Sequence, residues 1–227
     1  MDSTGATSRT LGVAFLFQFV TSVLSPVLQQ AWLVPGNIGE TMLKIADHPW
    51  LIEANILIDA LTGLGVVFLG AMLFLTLRKR NEKIALTAFG FYILEATLLV
   101  VSRMETFSLL RISQEYASAG QPAHLLTLGN LAFESMNFAG VALHVLIFSI
   151  GGILFYYLLY RSSVVPRLLS LWGLITVVPL LLGAVSHILG HPLPFFIVLP
   201  YVPFELAIAI WILAKGIDDR SHETSSA

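Results

Sequence analysis

Apolar residues in this chain fall into long continuous runs separated by short polar knots. A helix crosses the roughly 30 Å of bilayer hydrocarbon with about 20 mostly apolar residues. Six runs suit that role: 11–28 (reaching 33, with Pro26 as a kink near its far end), 51–77, 84–101, 131–160, 168–189 and 195–213. Pro200 and Pro203 interrupt the last of them. Barrel strands would show short alternating segments instead. The pattern predicts an all-α, polytopic transmembrane helix bundle with six spans and a single integral membrane domain over 1–227. Polar termini occupy 1–10 and 216–227. The stretch 34–50 reads as a loop, and 102–123 as a polar connection whose Phe107, Leu110 and Ile112 suit the membrane interface.

Composition strengthens this reading. The 227 residues are 56 % hydrophobic and 11 % charged, with a mean hydropathy of +0.84. A soluble domain carries about 25 % charged residues, so this chain has too little polar surface to cover a globule in water. Membrane lipids are therefore its expected surroundings. A net charge of −2 gives no electrostatic case for nucleic acid. The chain has no cysteine, which excludes disulfides, thiolate zinc sites and thiol nucleophiles. The first apolar run lacks a small-residue cleavage site and reads as an uncleaved first span. No Gly-rich phosphate loop, Gly-x-Ser-x-Gly elbow or nucleotide fingerprint is present.

The placement of Lys and Arg predicts orientation. With six spans, nine of them (Arg9, Arg78, Lys79, Arg80, Lys83, Arg161, Arg167, Lys215 and Arg220) share the side of the termini. Three (Lys44, Arg103 and Arg111) lie opposite. The positive-inside rule then puts both termini in the cytoplasm. The turns after Leu73-Phe74 and Leu154-Phe155 place Arg80 and Arg161 at one spacing, as either an internal duplication or shared hairpin patterning would.

Ionisable groups inside the spans are the candidate chemistry, because charge in hydrocarbon is costly. Counted from the ends of their spans, Asp59 lies about 12 Å from the outer edge and Glu95 about 18 Å from the inner one. In a core of about 30 Å these are one level in the outer half. Facing each other across a hairpin, two carboxylates would share a proton and suit proton relay or cation binding. Glu205, on the proline-broken sixth run, could join such a site with freed backbone carbonyls. Arg103 reads as an interfacial arginine or a surface partner of Glu53 or Glu105.

Five of the six histidines, His48, His124, His144, His187 and His191, fall toward the outer side, with His222 in the tail. His187 and His191 have the i, i+4 spacing of one helix face, if the helix runs that far. With His144 and a carboxylate they would form a nitrogen/oxygen site for a divalent metal. Bis-histidine haem through His144 is less favoured. As plain interfacial histidines they would simply bond water and headgroups.

Several segments carry a resemblance. Arg80-Asn81-Glu82, Gly90-Phe91-Tyr92-Ile93-Leu94-Glu95-Ala96, Ser113-Gln114-Glu115-Tyr116, 156–162, Val165-Pro166-Arg167, Leu171-Trp172-Gly173-Leu174 and 211–216 occur in the order expected of the bacterial membrane family DUF4386, which the chain resembles over most of its length. The resemblance implies a multi-pass protein of the bacterial inner membrane and no particular activity. Family members often carry arginine where Tyr92 stands, which would leave Glu95 short of a partner here. The His187 and His191 pair is not typical of the family.

Three readings of function follow. The first is a small-molecule or ion-binding module, transport-like or sensor-like, built on Asp59, Glu95, Glu205 and Arg103. The second is a metal-dependent intramembrane enzyme of hydrolase type using His144, His187 and His191. The third is a structural or assembly subunit whose polar groups satisfy one another.

Overall fold

The computed structural model describes residues 3–191, 193–197 and 199–217. The outer part of the tail, 218–227 with His222, lies outside the described residues. Every regular element among those described is helical: α1 (Ser3–Trp32), α2 (Ile38–Asp47), α3 (Pro49–Leu77), α4 (Glu82–Ser118), α5 (Ala123–Asn137), α6 (His144–Ser162), α7 (Arg167–Ile188) and α8 (Tyr201–Lys215). A π-helical stretch, Phe138–Leu143, joins α5 to α6 without a break, and a short 3₁₀ turn, Phe195–Ile197, precedes α8.

Among the described residues, five helices are long and apolar enough to cross a membrane: Arg9–Trp32, Pro49–Leu77, Glu82–Ser118, Ala123–Ser162 and Arg167–Ile188. Leucines and aromatics such as Leu57, Leu61, Leu64 and Phe68 stand outward along α3, as a lipid-facing surface requires. The expected sixth span differs. Helix α8 has 15 residues, about 22 Å at 1.5 Å per residue, which falls short of the hydrocarbon thickness. Pro200 caps its start. Pro203 sits in its first turn, where a missing N–H costs no intrahelical bond.

Neighbouring helices run antiparallel. Gly63 meets Val100 and Gly70 meets Tyr92 between α3 and α4; Gly65 meets Phe17 between α1 and α3; Gly151 meets Tyr92 between α6 and α4. Gly12 of α1 meets Leu213 of α8, and Gly173 of α7 meets Phe204. One end of the bundle therefore gathers the basic turns around Arg78–Arg80 and Arg161–Arg167. The main core, including Leu77, Ala85, Phe155, Tyr156, Phe204 and Ile208, fills this basic half.

The opposite end carries a cap. Asn37 accepts a hydrogen bond from the Glu40 amide (3.1 Å) and starts α2 within the stretch that reads as a loop. Helix α4 does not stop near residue 101 but continues to Ser118. Its 37 residues span about 55 Å, so the last turns stand clear of a 30 Å core. A second core of Trp32, Met42, Ile45, Ile52, Leu109, Leu110 and Met136 ties α2 to the ends of α1, α3, α4 and α5. Most of stretch 102–123 is therefore helix, with Leu110 and Ile112 packed into the cap and Phe107 exposed.

Candidate functional site

Because α8 is short, it fills only part of the bundle's height. The Trp172 indole donates to the Pro200 carbonyl (3.3 Å), and Trp172 lies 16 residues before the end of α7, about 24 Å along its axis. Pro200, at the start of α8, thus lies well down the bundle from the end of α7. Above the start of α8 lies a cavity of about 370 Å³, walled by α1, α3, α4, the α5–α6 junction and α7. Tyr201 and Glu205 form its floor, and the Tyr201 hydroxyl is hydrogen-bonded to that of Tyr156.

Three of the walls contribute polar side chains at helical spacing. Gln18, Ser22, Ser25 and Gln29 come from α1; Asn55, Asp59 and Thr62 from α3; Glu95 and Arg103 from α4. Steps of three and four residues in α1 and α3, and of two fours through Leu99 in α4, put each set on one helix face. Arg103 Nη1 donates to Asp59 Oδ2 at 2.6 Å. Asn55 Nδ2 reaches the same oxygen at 3.3 Å and donates to Ser25 Oγ at 2.8 Å. Arg103 Nη2 also donates to Ser102 Oγ at 2.9 Å. Glu95, 1 % exposed, pairs with His144, whose Nε2 lies 3.3 Å from Oε1. The second Glu95 oxygen, Gln18 Oε1 and His144 Nδ1 are buried without a hydrogen-bond partner among the described residues.

The π turn places His144. The His144 amide bonds the Ala139 carbonyl, five residues back, so the helix holds one residue more than an α-turn would. Gly140, on the same turn, faces Arg103. A Cβ there would stand 2.7 Å from Nη2, so the guanidinium rests on bare backbone.

The five residues Asp59, Glu95, Arg103, His144 and Glu205 all line this cavity. Their arrangement corrects three expectations. Asp59 and Glu95 do not pair with each other; each has its own basic partner. They are not at one level either. Gly63 packs on Val100 and Ala96, which sets Asp59 opposite residue 102 or so and leaves Glu95 about 10 Å further along the hairpin. The equal-depth estimate assumed that 51–77 matched a 30 Å core, whereas 26 steps of helix cover about 39 Å. Arg103 turns inward to Asp59 rather than outward to Glu53 or Glu105.

His187 and His191 do not join the site. Helix α7 ends at Ile188, Gly190 takes φ +82°, and the His191 amide folds back to the Ser186 carbonyl (2.8 Å). The i, i+4 face therefore does not form, and neither histidine lines the cavity. Among the described residues no three His, Asp or Glu side chains converge to hold a metal ion. The polar faces of α1 and α3, with Tyr201 and Gly140, are the parts of the site that the sequence reading passed over. The i, i+4, i+7, i+11 spacing of Gln18, Ser22, Ser25 and Gln29 was the signal for the first of them.

Chemically, the cavity offers two acid–base pairs, a further carboxylate at the floor, amides along one wall and apolar surface from Val141, Val145, Phe148 and Leu180. That combination can hold and orient a small polar molecule. No curated protein and no solved structure matches the chain. A family model does match, over residues 10–216, under the description "Domain of unknown function (DUF4386)". With nearly the whole chain matched, this multi-helix protein belongs to the DUF4386 family.

Proposed function

We propose that the chain is a binding module of a bacterial inner membrane, which holds a small molecule or ion in the cavity above α8 as part of transport or sensing. The basic end faces the cytoplasm under the positive-inside rule, so the cavity belongs to the outer half and the cap to the outer side. The observation that carries the reading is convergence. Polar side chains from α1, α3, α4, the α5–α6 junction and α8 meet around one 370 Å³ space inside an otherwise apolar bundle. Buried polar groups are expensive in such surroundings, and several kept together mark a site by default.

The absence of native cysteine makes a direct test available. A thiol placed by Ser22→Cys on the cavity wall reacts with a small neutral, water-soluble alkylating reagent when the protein is in nanodiscs. A thiol placed by Leu64→Cys on the 68 % exposed lipid face does not. Absence of labelling at position 22 overturns the reading.

A further inference from the structure

We infer that the occupant of this cavity is an organic cation, a protonated amine or guanidinium carried on an apolar body. The inference rests on the binding reading above and names its substrate class.

Charge is the first reason. The ionisable groups facing the cavity are Asp59, Arg103, Glu95, His144 and Glu205. Asp59 and Arg103 cancel at 2.6 Å. Glu95 and Glu205 then set two carboxyl groups against one imidazole, that of His144, so with both ionised they carry an unmatched negative charge and repel each other. An incoming cation relieves this repulsion, and an anion increases it.

Hydrogen bonding is the second. Glu95 Oε2 and Gln18 Oε1 are acceptors with unpartnered lone pairs, on residues only 1 % and 9 % exposed. When His144 Nε2 donates to Glu95, its buried Nδ1 becomes a third bare acceptor. Each such group costs free energy until a donor arrives. An ammonium brings three donors and a guanidinium five, with no acceptor of their own.

Size is the third. A bare metal ion needs several oxygens closing tightly around it, whereas 370 Å³ equals roughly a dozen waters at about 30 Å³ each. Val141, Val145, Phe148 and Leu180 line part of that space, which suits a hydrocarbon body behind the charged head. A free amine and the amine headgroup of a membrane lipid share this chemistry.

The test uses the full chain carrying Ser22→Cys in nanodiscs of phosphatidylglycerol, with the neutral alkylating reagent. Three matched molecules compete: 2-phenylethylammonium, 2-phenylethanol and phenylacetate. The ammonium is expected to protect the thiol at a concentration at least tenfold below that of the alcohol, with no protection by phenylacetate. The preference falls away with Glu95→Gln, and with Glu205→Gln should the first variant not fold. Protection by phosphatidylethanolamine in the nanodisc, without added amine, identifies a lipid headgroup as the source; protection by the free ammonium alone identifies a soluble one. Equal protection by alcohol and ammonium, or best protection by phenylacetate, overturns the inference. So does labelling that none of the three slows, which leaves the accessible cavity standing. A thiol that never reacts removes the cavity reading and this inference together.

Discussion

Arg103 and Asp59, 44 positions apart in sequence, are joined by a 2.6 Å hydrogen-bonded ion pair whose side chains are only 13 % and 6 % exposed. The pair links the capped ends of α3 and α4. Removing one partner leaves the other as an uncompensated buried charge, which costs about 3–5 kcal/mol. Arg103→Met is therefore expected to destabilise the protein by about that amount, and Asp59→Leu in the same background to recover most of it. Chemical unfolding of both single variants and the double variant checks this. A double variant as unstable as the sum of the singles would show that the pair does not act as a unit.

His144→Leu leaves Glu95 with neither oxygen partnered. An orphaned buried acceptor costs about 1–3 kcal/mol, more when it is charged. The loss should shrink when Glu95→Leu is added, because the group needing a partner is then gone. Thermal unfolding in detergent reads both steps, and equal stability of the His144→Leu variant and the parent would count against the pair.

Gly173 faces the Phe204 ring, and a Cβ there would stand 2.5 Å from Cζ. The ring cannot swing away freely, since Tyr156 packs edge-on at 5.0 Å and Trp172 at 6.1 Å between centroids. Gly173→Ala is expected to cost about 1–3 kcal/mol through overpacking, lowering the unfolding midpoint despite alanine's higher helix propensity. A raised midpoint would refute the close approach.

The cap predicts a local effect. Met42 is fully buried in the core that ties α2 to α4 and α5. Met42→Ala should cost about 2–5 kcal/mol, most of it within the cap, which can open without the membrane bundle unfolding. Trypsin cleavage after Arg111 should then accelerate, while cleavage in the basic turn at Arg78–Arg80 keeps its rate. A change at both sites alike would mean that cap and bundle open together.

The bundle was legible in the sequence because a span writes itself as hydropathy. The runs at 51–77 and 168–189 match α3 and α7 closely, since both begin or end at Pro, Gly or charge. Helix α2 was missed although Asn37 and Glu40 stand in a capping arrangement and Met42 and Ile45 repeat at helical spacing; ten residues between two spans read as loop when only long apolar runs are sought. Helix α4 was cut short at residue 101 for the complementary reason. Its last turns are amphipathic, and helix continues in water as readily as in lipid. Asp59, Glu95 and Glu205 were legible as anomalies of charge in apolar surroundings, and Arg103 as an arginine at the end of a span. Their pairing was not, because it depends on how far α3 extends beyond the bilayer core and on how two helices register. His144 became a candidate through its outer-side position, yet its approach to Glu95 depends on a turn that no periodicity announces.

That turn has a consequence for the whole of α6. A residue added to an α-helix rotates everything after it by about 100°. The stretch Phe138–Leu143 holds such an extra residue, and all of 144–162 is phased to it. Gly151 meets Tyr92, and Tyr156 meets Tyr201 and Phe204, in that phase alone. Shortening 138–143 by one residue would let the helix relax to regular α while sending glycines where rings now pack and rings where glycines now allow contact. The number of residues in this one turn therefore works as a reading frame in three dimensions. It selects which face of α6 the other helices see, and with it which side chain answers Glu95.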